Sequence, residues 1–431
     1  QKQLIGICLT KNGLIMLVQE NIRTITLLNM VINKNLILRY LRSFKQNFSF
    51  FILAFSALCF FLLNIFLKDN LNADDYGLFS IFVTYISLLS SFGLLGFEQT
   101  LLRVSIIKSK LEINKKLILT SVCAILIVAT CGTYLMLSNY DFNLPFFEIF
   151  IISILVVIIK LLFNLHRLIS NFSISQLTLN FWKISLAVYI GFEMFRSNSI
   201  SLDNIIYLIF SFLVLSLFSF FGLKNMIRLI EKESILELIK KSFLFFITLF
   251  TISLIGYGDR FFIESRFGLA AVGDYFFYIN IFLFPFSLFQ TYIGFKEIVI
   301  FKNKYDLSIL KTKLILLLKF SFIFSVLLFS FFLLIEYFGI YDLKIKSNLE
   351  IVLALIFLGN IKIIYSLLSS VIGAHSDNSM LYNINLKSIF SILLLTPFIY
   401  YFSYSVFLII IYVIILWITR CLIWYNQIQK I

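Results

Sequence analysis

The chain has 431 residues, 61% of them hydrophobic and 13% charged, with 36 Lys+Arg against 22 Asp+Glu for a net charge of +14. Soluble domains carry about 45–50% apolar and about 25% charged residues, so a water-soluble domain, a disordered chain and a disulfide-stapled secreted module are all excluded. At about 20 apolar residues per membrane-spanning helix, the composition fits about twelve spans and leaves no room for a large soluble domain.

In chain order, residues 1–29 are less apolar, begin with Gln1, and are interrupted by Lys2, Lys11, Glu20 and Arg23. They read as an extension outside the fold, with the natural start expected at Met30 and a short basic leader (Lys34, Arg39, Arg42, Lys45) ahead of the first span. Spans are expected at 47–67, 77–100, 117–137, 147–165, 176–195, 203–223, 241–262, 275–294, 314–335, 349–370, 386–402 and 405–424. Only Ser403-Tyr404 separates the last two. The expected domain division is 1–29 as extension, 30–223 as an N-terminal lobe, 224–240 as a cytoplasmic linker and 241–431 as a C-terminal lobe.

Orientation follows from the distribution of Lys and Arg. One set of loops holds the seven basic residues from Lys2 to Lys45, then Arg103 to Lys116, Arg167, Lys224 to Lys241 and Lys296 to Lys313. The other set holds Asp69, Asp74, Asp75, Asp141, Asp203, Asp274 and Asp342 with few basic residues. The basic side is expected to be cytoplasmic, with both termini there.

Two stretches repeat. Asp75-Tyr76-Gly77 precedes an apolar run ending in Gly96-Phe97-Glu98, and Gly273-Asp274-Tyr275 precedes a run ending in Gly294-Phe295-Lys296-Glu297. The second span therefore matches the eighth, six helices later. The fold class expected is an all-α integral membrane protein of about 12 transmembrane helices, in two six-helix lobes related by a pseudo-two-fold axis along the membrane normal. Asp75 and Asp274 are expected to cap the helices they precede.

The stretch Leu71 to Phe79 with Gly96 to Arg103, together with Tyr257-Gly258-Asp259-Arg260-Phe261-Phe262-Ile263 leading into Gly268 and Gly273-Asp274-Tyr275, resembles the bacterial polysaccharide (O-antigen type) flippases. These belong to the superfamily of multidrug, oligosaccharidyl-lipid and polysaccharide exporters. The resemblance covers roughly residues 30–425. It implies a flippase of the bacterial inner membrane that moves an undecaprenyl-diphosphate-linked oligosaccharide between leaflets by alternating access. It also implies a cationic cavity between two lobes, and a polysaccharide polymerase and chain-length regulator as possible partners. Helices one, two, seven and eight would face the cavity, which makes Arg103 and Arg260 candidates for contacting substrate at opposite ends of the path.

The residues themselves supply candidates for such a cavity. Lys160, Lys183, Lys319 and Lys362 fall inside expected spans, where each Lys costs about 2.5–3.5 kcal/mol at mid-bilayer. Lys160 and Lys319 lie about five residues, roughly 8 Å, from the cytoplasmic ends and can snorkel. Lys183 and Lys362 lie seven or eight residues in, which favours a polar cavity. Ammonium groups suit a diphosphate. Glu98 and Glu193 are the carboxylates nearest the membrane and the candidates for coupling transport to an ion gradient. An ion-coupled small-molecule exporter and a membrane-embedded polymerase or glycosyltransferase, with Asp74-Asp75 as its acidic pair, are the alternatives. An enzyme is not favoured, because the outer loops are short. Cys8, Cys59, Cys123, Cys131 and Cys421 form no CxxC pair, and His166 and His375 stand apart, so no metal or other cofactor is expected.

Overall fold

The structure is a computed structural model, and it describes residues 48–107, 110–196, 200–231, 234–303 and 306–430; of residues 103, 104, 106, 107, 194, 195, 295, 296, 299, 302 and 303 only the backbone is described. The extension expected at 1–29 and the basic leader lie outside the described residues.

The architecture is all-α, and among the described residues ten helices are long and apolar enough to cross a membrane. In order, α1 is Phe48–Asn70, α2 Ala73–Phe92, α3 Phe97–Val104, α4 Lys115–Asn139, α5 Phe146–Leu168, α6 Phe172–Phe195 and α7 Leu202–Ser216. Then come α8 Ile235–Tyr278, α9 Phe284–Asn303, α10 Leu307–Tyr337, α11 Leu349–His375, α12 Asn378–Phe402 and α13 Val406–Ile428. The count of ten differs from the expected twelve for two physical reasons. The helix α6 carries Gln, Asn, Lys and Glu within its length and is not among the ten. Spans seven and eight are joined in one run of 60 residues, Ile235–Gly294.

That run is too long to be one span, since 60 helical residues would reach about 90 Å. It breaks at Gly268, where φ is 83° and ψ 178°. Only glycine enters that region without strain, so the bend between the two legs of α8 is placed by a single residue. A π-helical turn follows at Ile279–Leu283, just ahead of Pro285, whose missing N–H removes the regular hydrogen bond there.

Helix starts are set by side-chain caps. Asn114, Ser201, Ser234, Asp306, Asp377 and Ser405 each accept a backbone N–H of the first turn of the helix they precede. Ser405 thereby fixes the short break between α12 and α13. The expected caps Asp75 and Asp274 are corrected. Asn72 caps α2, its Oδ1 accepting from Asp75 N at 2.7 Å while its amide donates to the Asp75 carboxylate at 2.8 Å. Asp274 lies within α8 and pairs with Lys68 of α1.

Helices α2, α4, α5, α6 and α7 pack among themselves, as do α9 to α13, and α8 packs against α2, α12 and α13. The contact of α2 with α8 is the most extensive. A Cβ on Gly77 would lie 2.2 Å from the Leu269 carbonyl oxygen, and one on Gly273 would lie 3.0 Å from Tyr76. The two sequence motifs thus meet at one crossing, where the absence of side chains lets the backbones touch. At the basic end, a three-stranded sheet joins distant segments. Its strands are β1 Ile106–Ile107, β2 Leu111–Asn114 and β3 Ile227–Ile230, with β1 antiparallel and β3 parallel to β2. The stretch expected as a linker, 224–240, therefore holds a strand and the first turns of α8.

Candidate functional site

The helices are longer than the expected spans, and this moves the lysines. Lys183 stands 11 residues from the start of α6 and 12 from its end, and Lys362 stands 13 from each end of α11. Both sit at helix midpoints, not in the cytoplasmic half. Lys160 stands 8 residues from the end of α5.

Lys160 and Lys183 come together. They line a cavity of about 180 Å³ with Ser87, Ser90 and Ser91 of α2, Trp182 of α6 and Tyr257 of α8. The cavity's polar walls are hydroxyls and its charged walls are ammonium groups. The Lys183 ammonium lies 5.4 Å from the Phe60 ring centre and 5.6 Å from that of Trp182, and Lys160 lies 5.0 Å from Phe163. Ring faces carry negative potential and partly offset the cost of holding a cation away from water.

Glu98 interacts electrostatically with Lys160. Glu98 is 4% exposed, and its Oε2 has no hydrogen-bond partner among the described residues. The cause is the turn at Gly96, with φ 81°, which folds α3 down against α8. Thr100 of α3 and Ser242 of α8 share a hydroxyl hydrogen bond of 2.7 Å in the same contact. Glu193 is half-buried near the end of α6, away from the cavity lining.

Arg260 is buried within α8. The first leg runs on to Phe267 instead of stopping near 262, because charges at 264 and 266 do not end a helix and the break waits for Gly268. Its Nη1 donates to Thr84 Oγ1 of α2 at 2.6 Å, its guanidinium lies 5.2 Å from the rings of Tyr257 and Phe276, and its Nε has no partner among the described residues. Neighbouring Asp259 takes a different partner, accepting from Tyr275 Oη at 2.5 Å. Lys362 of α11 interacts electrostatically with both Asp259 and Arg260.

Two candidates are not gathered in. Lys319 is exposed on α10 and lines none of the cavities described here. Arg103 lies in α3, and its side chain is outside the described residues.

One functional-looking residue escaped the sequence reading. Arg420 lies inside the last expected span, where an Arg costs about 2.5–3.5 kcal/mol on insertion scales, and that cost was the signal available. It is 1% exposed. Its Nε donates to Tyr365 Oη at 3.2 Å, while both terminal nitrogens lack partners among the described residues.

At the acidic end, a cavity of about 380 Å³ is bordered by Lys68, Asp69, Asp274, Tyr341 and Asn348. Tyr341 donates to the Asp69 carboxylate at 2.7 Å, and Asn348 donates to Tyr278 Oη at 2.9 Å.

No protein-family model matches the chain, and no curated protein matches it. Two solved structures match in fold. One is an outward-facing multidrug resistance MATE family transporter of the MOP superfamily, with TM-score 0.57, 13% identity, and 90% of this chain and 94% of that one covered. The other is a MOP superfamily transporter from Pyrococcus furiosus Vc1 (DSM3638), described as having a binding pocket of reverse polarity that suggests a different function, with TM-score 0.55, 13% identity, and 90% and 95% covered. The chain is an all-α multi-pass membrane protein. More particularly, its fold is that of MOP superfamily transporters.

Proposed function

We propose that the protein is a flippase of the polysaccharide type, moving an undecaprenyl-diphosphate-linked oligosaccharide from the inner to the outer leaflet of a bacterial inner membrane by alternating access. The observation that carries this reading is the charge of the interior. Lys160, Lys183, Arg260 and Lys362 lie within the bundle, opposed by Glu98 and Asp259, and Lys160 and Lys183 share a hydroxyl-lined cavity. An exporter of cationic drugs needs acids facing its substrate, whereas ammonium groups favour a diphosphate. Pocket polarity discriminates within this fold, since one of the two similar structures is itself described by a reversed pocket. The basic loops are taken as cytoplasmic, which places both termini inside.

In this scheme Lys183 and Lys362, at mid-membrane on α6 and α11, hold the diphosphate from the two halves of the bundle. Lys160 and Arg260 extend the positive path, and Arg103 contributes from the cytoplasmic end. Glu98, beside Lys160, is placed to exchange a cation or proton as the site opens, with Glu193 a weaker candidate. A polymerase and chain-length regulator would act on the product. The chain itself is not an enzyme in this reading. The second reading is an ion-coupled exporter of small molecules, which the multidrug neighbour's fold favours.

The test is a Lys183→Ala, Lys362→Ala double variant in a strain that depends on this protein for surface polysaccharide. Polysaccharide is expected to disappear while the variant accumulates in the membrane at the normal level. Unchanged polysaccharide would refute the role of these lysines.

A further inference from the structure

Helices α11 and α13 build a second cluster that the Lys160–Lys183 cavity does not use. On α13, Trp417, Arg420 and Trp424 are spaced three and four residues apart, so they share one face. That face meets Lys362 and Tyr365 of α11. The Tyr365 ring is the centre, 4.9 Å from Trp417 at 74° and 5.0 Å from Trp424 at 59°. The Arg420 guanidinium lies 5.6 Å from the Tyr365 ring and 5.3 Å from that of Trp424, and the Lys362 ammonium lies 5.4 Å from Trp417.

The hydrogen-bond ledger of this cluster is one-sided. Trp417, Arg420 and Trp424 are 2%, 1% and 4% exposed. The Nε1 of each indole and both terminal nitrogens of Arg420 have no hydrogen-bond partner among the described residues. All four atoms are donors that cannot accept. A lone orphan donor can be a packing compromise, but four around one guanidinium is a site lacking its acceptor. The geometry names that acceptor. Because Nε is engaged by Tyr365, the free edge of Arg420 is the terminal fork, whose two parallel N–H groups match the two oxygens of a carboxylate or phosphate.

We propose that Arg420, with Trp417 and Trp424, forms an oxyanion site on the C-terminal half that adjoins the diphosphate path at Lys362 and holds a negatively charged group of the transported ligand. The two sources of such a group are the diphosphate itself and a carboxylate-bearing sugar of the oligosaccharide. The proposal rests on the flippase reading only for the choice of ligands tested. Its measurement is binding, so it can fail while export persists, and export can fail while it stands.

The chain's three tryptophans are Trp182, Trp417 and Trp424. A Trp182→Phe variant of the full chain in detergent therefore reports from the proposed site alone. Its fluorescence is titrated with inorganic pyrophosphate in one arm and with glucuronate in the other. A saturable change in at least one arm is expected, and the arm that responds identifies the source. In the same background, Arg420→Gln is expected to weaken that binding by roughly tenfold or more, while Arg420→Lys retains part of it. If Arg420→Gln does not yield a folded protein, Trp424→Phe decides, since it removes one N–H and keeps a ring; a several-fold loss, read from Trp417, is expected there. No saturable change in either arm overturns the proposal, as does wild-type affinity in the folded Arg420→Gln or Trp424→Phe protein.

Discussion

Arg260 Nη1 donates to Thr84 Oγ1 at 2.6 Å, a bond that ties α8 to α2 across 176 residues of chain. Both residues are buried, and the Arg260 Nε already lacks a partner among the described residues. Thr84→Val keeps the shape and removes the acceptor, leaving a buried guanidinium less satisfied. The loss of a hydrogen bond to a charged group is expected to cost about 1.5–3 kcal/mol, while Thr84→Ser stays within about 0.5 kcal/mol of wild type. Thermal unfolding of the purified protein in detergent measures both.

The crossing of α2 and α8 has no room for a methyl group at Gly77, because the obstruction is the backbone carbonyl of Leu269. Gly77→Ala is expected to destabilise by about 1–3 kcal/mol through forced separation of the helices. Gly256→Ala is the control, since nothing lies within 4 Å of a Cβ there. It is expected to be neutral or to stabilise by up to about 1 kcal/mol through helix propensity. Equal destabilisation by the two would contradict the close approach.

Glu98 and Lys160 lie on α3 and α5 and interact electrostatically away from bulk water. Glu98→Gln and Lys160→Met are therefore expected to be non-additive, with a coupling energy of about 0.5–3 kcal/mol in a double-mutant cycle on unfolding. Additive effects would separate Glu98 from the cavity and remove its candidacy for ion coupling.

The Tyr341 phenol, in the loop between α10 and α11, has its pKa raised above the ordinary value by burial and then by the Asp69 carboxylate to which it donates. The unfolded chain releases this proton near pH ~10, before the folded protein does. The contribution is thus fully present below pH ~10 and declines as pH rises above it. Tyr341→Phe is expected to be less stable than wild type by about 1–2 kcal/mol at pH 8, with the gap narrowing as pH approaches 11. Melting curves of both proteins across that range provide the check.

Lys319 faces outward on α10, apart from the other lysines. Lys319→Ala is expected to leave surface polysaccharide within about twofold of wild type, in contrast to Lys183→Ala and Lys362→Ala. Loss of polysaccharide in Lys319→Ala at normal protein level would move the positive path to that face.

Most of the fold was legible in the sequence. Every expected span has a helix at its position, and the Ser403-Tyr404 break is where α12 gives way to α13. Depth was less legible, because hydropathy registers where the apolar run ends and not where the helix ends. The helix of Lys183 starts earlier, at Phe172, and that of Lys362 runs on to His375, which puts both lysines in the middle. The caps were misassigned for a similar reason: Asn72 and Asp75 are three residues apart, and only the backbone angles decide which stands outside the helix. Arg420 was visible as a charge in an apolar run, but its significance lay in Tyr365, 55 residues away.

The sequence alone determined that this chain is a membrane-spanning helical protein with a basic and an acidic side, because burial in lipid and charge bias are properties of local stretches. The tertiary structure decided which charges are held together and which are not. Lys160 joins Lys183 in one cavity, Arg260 reaches across to Thr84, Lys319 is left outside, and Arg420 lies against Tyr365 and Trp424 with its two terminal nitrogens unpartnered among the described residues. Those outcomes depend on which helix faces meet. Side chains tens to hundreds of residues apart in sequence set that choice, and no local pattern records it.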